Sequence, residues 1–118
     1  MPQVILTADR TCESLTDPLL AELGQYLSMV VAQTLTSDEP AGEVRVRDVH
    51  VHIRDKHPWR DIGSYDLLIT VILKDLPKRN TNLEKHAQEL TEKIKKLCPP
   101  DITKFLWIVL ARTTYISF

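Results

Sequence analysis

Glycine, cysteine and methionine are scarce in this 118-residue chain, at three, two and two residues, and aromatic side chains make up only 6% of it. Three glycines exclude a collagen-like or glycine-rich low-complexity chain. Cys12 and Cys98 stand too far apart for a metal or redox motif and are too few for a disulfide scaffold. Two thiols without a secretory signal point to a reducing cytoplasm. An excess of charge is missing as well: 15 basic and 16 acidic side chains give a net charge of -1. That balance lacks the electrostatic footprint of a nucleic-acid or acidic-membrane partner. No apolar run approaches the roughly 20 residues of a membrane-spanning helix, and the first residues lack the basic and long apolar stretches of a signal peptide. The expectation is a cytoplasmic protein with no nucleic-acid and no membrane partner. What is present, 43% hydrophobic and 26% charged residues, suits a single globular domain over residues 1–118. A chain of this length buries roughly two-thirds of its unfolded surface.

The pattern along the chain is doubled. Residues 3–8 read as a strand. Asp17-Pro18 reads as an N-cap followed by proline at the first helical position, where no N–H is required. Leu19, Leu23, Leu27, Val30 and Val31 then share one helical face, with Leu20 beside them. Residues 37–42 are a loop by composition. A second strand is predicted from Glu43 to about Arg54. Its apolar alternation slips by one residue near Arg47-Asp48, which predicts a β-bulge or two short strands meeting at a kink. The second half, about 64–118, repeats the order of the first, about 1–54. Tyr65 to Lys74 is a strand apolar on nearly both faces. Thr81-Asn82-Leu83-Glu84 has capping-box spacing, and Leu83, Ala87, Leu90, Ile94 and Leu97 form an amphipathic stripe. Lys93, Lys95 and Lys96 suit the negative helix end, and Pro99-Pro100 stop it. Phe105 to Ala111 is a last strand expected to be buried on both faces.

The predicted fold class is α+β, a βαβ unit followed by a second one. In a ferredoxin-like monomer the helices cover one sheet face and water wets the other, so the strands should alternate apolar and polar. Leu68 and Ile72 instead stand opposite the Leu67, Ile69, Val71 and Leu73 face. A second apolar face of that size marks an oligomer interface, which favours sheets packed together in a closed ring of subunits.

Pro2 carries the chemistry. Removal of Met1, which a small second residue permits, leaves a secondary amine at the end of a buried strand. Burial disfavours the ammonium form, so such an amine can serve as a general base near pH 7. With Met1 retained the same nitrogen is a tertiary amide without basicity.

Pro2 on a strand, Asp9-Arg10-Thr11 after it, Val44-Arg45-Val46, and Trp59 followed by Ile62-Gly63 together resemble the tautomerase superfamily. Arg45 and Arg47, Trp59, Gly63, Tyr65-Asp66 and the helix from about Asn82 stand in the order of its 5-carboxymethyl-2-hydroxymuconate isomerase branch. Arg10 lies closer to Pro2 than the early arginine of the superfamily, and Asp9 stands where a glycine is usual. The resemblance implies a homotrimer with a pocket around each Pro2 that borrows residues from a neighbouring subunit. It also implies a cofactor-independent tautomerase of small unsaturated keto or enol carboxylates. By that resemblance Pro2 is expected to be the general base and Arg45 the catalytic cation, with Arg47, Arg10 and Trp59 expected to bind substrate. Arginine offers fixed bidentate donors to a carboxylate at any working pH, and an aromatic such as Trp59 keeps water from the amine.

Other readings of these residues stand beside this one. Arg45 and Arg47 also suit a solvated strand face or an inter-subunit salt bridge, and Trp59 a loop anchor beside Pro58. His50 and His52 share a strand face at a metal-ligand spacing, with His57 near in sequence. Arg47 and Arg54 flank them and repel a cation, so no metal and no cofactor is expected. The alternative function is a non-catalytic oligomeric ligand-binding or assembly domain of the same fold, with Pro2 idle.

Overall fold

The computed structural model describes residues 2–112. In chain order the elements are β1 (Gln3–Ala8), α1 (Asp17–Leu35), a 3-10 turn (Val46–Asp48), β2 (His50–Asp55), β3 (Leu67–Lys74), α2 (Pro77–Thr81), α3 (Leu83–Leu97) and β4 (Lys104–Ala111). The strands form one mixed sheet in the order β2-β1-β3-β4. β1 and β2 run parallel, as do β3 and β4, while β1 and β3 meet antiparallel in the middle. This is the α+β fold with two βαβ units that the sequence pattern predicts. No described helix is long and apolar enough to cross a membrane.

Side-chain alternation sorts the sheet into two faces. One carries Val4, Leu6, Ala8, Leu67, Ile69, Val71 and Leu73, all buried in the core. α1 covers it with Leu20, Leu23, Leu27 and Val31, and α3 with Leu90 and Ile94. At Gly24, α1 passes so close to β2 that an added methyl would sit 3.2 Å from Val51 Cγ1. The other face is ordered by register into three rows: His50-Gln3-Ile72-Val109, His52-Ile5-Thr70-Trp107 and Arg54-Thr7-Leu68-Phe105. The described helices leave this face open, with Phe105 55% and Trp107 62% exposed. Among the described residues β4 is therefore not buried on both faces. Its hydrophobic run reports two apolar faces but not what covers the second.

Several local expectations are corrected. The N-cap of α1 is Thr16, whose hydroxyl accepts from Leu19 N at 3.3 Å, and Asp17 is the first helical residue. Asp17 is instead drawn to Arg10. The second strand begins only at His50. The slip in alternation is neither bulge nor kink but a turn closed by Asp48 N to Arg45 O (2.9 Å) and Val49 N to Val46 O (3.2 Å). That turn lets both Val44 and Val49 face the core, at 8% and 9% exposed. The third strand starts at Leu67, because Asp66 is occupied in pairing with Thr103 through backbone and carboxylate. The capping box does not form: Thr81 ends the short α2 and donates back to Pro77 O at 3.0 Å.

Candidate functional site at the Pro2 end of the sheet

Pro2 is half-buried, and its carbonyl accepts from His50 N at 3.0 Å, which fixes it at the start of the parallel β1–β2 pair. Continuing the register from Gln3 and Ile72 sets Leu73 of β3 across from it. The Arg45–Arg47 segment enters β2 at this same end. Arg45 holds the Glu43 carboxylate through Nε at 3.2 Å and Nη2 at 3.5 Å. This hydrogen bond and the Glu43 charge raise the guanidinium's pKa above its ordinary value. Both partners are more than half exposed, so the pair is weak and readily exchanged for another carboxylate. Arg45 lines a broad cleft of about 650 Å³ with Glu43, Asp48 and Asp38. Because the segment is a turn and not a strand, Arg45 and Arg47 diverge. Arg47 lines a separate groove between α1 and β2 with Val46 and Ile53.

Arg10 and Trp59 lie at the far end of the same sheet. Six residues of β1 separate them from Pro2, a span of about 20 Å. Arg10 is held by Asp17 and by Asp55 at 3.8 Å, and Asp17 raises its pKa. Trp59, 85% exposed, tips a turn that is firmly built. There the Asp61 carboxylate accepts from His57 N at 2.8 Å and from Arg54, Trp59 N donates to His57 Nδ1 at 3.2 Å, and Lys56 Nζ donates to Gly63 O at 2.7 Å. Pro2 and the Arg45–Arg47 turn thus lie at one end of the sheet and Arg10 and Trp59 at the other, while the side chains of Arg45 and Arg47 line different hollows, neither of which Pro2 lines. His50 and His52 stand with Arg54 on the open sheet face, both exposed.

One residue at the Pro2 end escaped sequence reasoning. Arg79, in α2, is 3% exposed. Its guanidinium donates to Leu35 O (2.9 Å), Gly42 O (3.0 Å) and Lys74 O (2.8 Å). It thereby joins the end of α1, the 36–45 loop and the end of β3. Burial pulls its pKa down, while the Glu39 charge opposes that shift. An arginine two residues after a proline gives no sequence signal for such a place; it reads as a solvated side chain.

No protein-family model matches the chain, and no curated protein matches it in sequence. Solved structures match its shape. Malonate semialdehyde decarboxylase aligns with a TM-score of 0.61 at 15% identity, covering 98% of this chain and 89% of that one. A fused 4-OT protein described as an asymmetric trimer gives 0.60 at 14% identity, covering 98% and 91%. A macrophage migration inhibitory factor-like protein from Entamoeba histolytica gives 0.57 at 8% identity, covering 94% and 89%. The chain shares the fold of these proteins. These neighbours include enzymes of different activities, so the shared fold fixes neither substrate nor reaction.

Proposed function

We propose that this protein is a cofactor-independent tautomerase or isomerase of small unsaturated keto or enol carboxylates, most like the 5-carboxymethyl-2-hydroxymuconate isomerase branch, with Pro2 as general base. The observation that carries this reading is Pro2 at the head of the sheet of a tautomerase fold, beside the arginine-bearing turn. With Met1 removed, the prolyl lone pair takes the enol proton. The oxygen electrons then form the carbonyl, and the C=C pair takes a proton back from the ammonium at carbon. Arg45 exchanges Glu43 for the substrate carboxylate and draws electron density toward it. Arg47 assists from the other side of the turn.

Assembly completes the site in this reading. The open apolar face around Ile5, Trp107 and Phe105 packs against further copies in a homotrimer, and the fused 4-OT neighbour is itself described as a trimer. Arg10 and Trp59, remote from Pro2 in their own chain, then serve the Pro2 of a neighbouring subunit. The test compares Met1-free and Met1-retaining protein in ketonisation of phenylenolpyruvate or 2-hydroxymuconate, followed by ultraviolet absorbance. Activity should reside in the Met1-free form alone. Equal rates, or none with either substrate, leave a non-catalytic assembly or ligand-binding domain as the better account.

A further inference from the structure

Arg79 is a buried cation whose guanidinium contacts only main-chain oxygens among the described residues, and it underlies the end of the sheet where Pro2 sits. Its nearest carboxylate, Glu39, does not take the guanidinium. Glu39 Oε1 accepts instead from Lys78 N (3.0 Å), Arg79 N (3.3 Å) and Ser37 Oγ (3.0 Å). Side chain and carboxylate thus clamp the 36–45 loop onto α2 from two directions. Within the loop, Ser37 N donates to Gly42 O at 2.8 Å, and Val44 N donates to Thr36 Oγ1 at 3.0 Å. Ala41 adopts a left-handed φ of 63°, and a methyl on Gly42 would meet Ser37 Cβ at 2.8 Å. Arg45 follows Gly42 by three residues, so this clamp anchors the backbone that leads into it.

The same geometry puts a fixed charge near the amine. Arg79 grips the carbonyl of Lys74, the residue after Leu73, which lies across the sheet from Pro2. β3 is the direct neighbour of β1, so one strand spacing and one residue rise set Lys74 about 6 Å from Pro2, and Arg79 Nη1, 2.8 Å from the Lys74 carbonyl oxygen, lies within about 10 Å of the prolyl nitrogen. The other charges gathered at this end are largely exposed or matched. Asp38 pairs with Lys78, Glu43 with Arg45, and Asp75 meets Arg112 at 3.8 Å. Lys93 of α3 is tied to Thr34. Lys74, Arg47, Asp48 and His50 reach solvent, where salt screens them.

We propose that Arg79 is the positioning residue of the Pro2 site: it holds the Arg45 loop against β3, and its charge biases the prolyl amine toward the neutral, basic form. This rests on the general-base reading above. At about 10 Å and an effective dielectric of about 20, the charge lowers the amine's pKa by roughly one. The guanidinium itself stays protonated at any working pH.

The experiment is an NMR titration of Met1-free protein labelled with 15N-proline, alongside steady-state ketonisation of phenylenolpyruvate. Arg79→Met should raise the amine's pKa by about one and raise KM about tenfold. Arg79→Lys keeps a charge but cannot bridge three carbonyls, so the pKa should stay near that of the parent while KM rises. An unchanged pKa in folded Arg79→Met, or an unchanged KM in Arg79→Lys, overturns the proposal. Should Arg79→Met fail to fold, the Lys variant and Glu39→Gln, which loosens the loop from the other side, carry the decision through KM. No titrating prolyl amine in the parent would instead sink the general-base reading, and this inference with it.

Discussion

Thr70 of β3 and Trp107 of β4 are register partners on the face that the described helices leave open. Ile5 flanks Thr70 on its other side, and His52 closes the row. A tryptophan 62% exposed in the middle of a regular strand, beside Phe105 at 55%, is the feature most in need of a partner. Apolar patches of this kind are uncommon on free monomers. Trp107→Glu should therefore turn a three-subunit species into monomer in sedimentation at micromolar concentration, with far-ultraviolet circular dichroism unchanged. A parent protein that sediments as a monomer ends the trimer reading.

How far this was legible in the sequence differs from element to element. The stripe Leu83, Leu90, Ile94 delivered α3, and the strand around Leu67–Lys74 announced itself through apolar residues on both faces. The 43–49 segment did not, because Val44 and Val46 imitate the alternation of a strand. The bonds from Asp48 and Val49 back to Arg45 and Val46, which bend it into a turn, have no counterpart in hydropathy. This bend also parts Arg45 from Arg47, so two arginines at strand spacing do not share a surface. Pro2 and its arginines were visible as residue types. The separation of Arg10 and Trp59 from them follows from the length of β1, and the buried place of Arg79 from tertiary contacts alone.

The Trp59 turn should respond to acid. The Asp61 carboxylate lies below its ordinary pKa, chiefly because His57 N donates to it, with Arg54 and Arg60 adding their charges. A depressed carboxylate contributes stability that is complete above its unfolded value of 3.8 and is lost as pH falls through the lower folded value. The Trp59 indole resonance should thus hold its position down to about pH 4 and shift below it. In Asp61→Asn it should already be shifted at pH 7. A resonance indifferent to both changes would mean that Asp61 does not order the turn.

The two cysteines should differ in reactivity. Cys98 is 5% exposed, and burial pushes its thiol's pKa up, only partly offset by the Lys104 charge. Cys12, at the edge of the core, is half-buried. The thiolate is the reactive species, so a raised pKa and poor access act in the same direction. One thiol per chain should react promptly with a disulfide reagent at pH 8, and the second only in denaturant. Peptide mapping should assign the first to Cys12, and prompt labelling of Cys98 would contradict the packing of α3 against the sheet.

Arg45 and Glu43 make the sharpest test of the site. Their exposed pair at 3.2 Å competes with any substrate carboxylate for the same guanidinium face. Arg45→Ala should lower kcat/KM by roughly ten- to a hundredfold, the loss expected when one charge-assisted contact disappears. Glu43→Ala should act in the opposite sense and lower KM, because it frees Arg45 without touching the base. The pH profile separates the two roles. Rates should rise as the prolyl amine loses its proton, and Glu43→Ala should displace that rise only slightly, since an exposed carboxylate is screened by solvent. Pro2→Ala keeps an amine, but a primary one that is more strongly hydrated and differently placed, so most activity should vanish while the fold persists. If Arg45→Ala and Glu43→Ala change KM in the same direction, Arg45 is not the carboxylate anchor, and Arg47 becomes the residue to test.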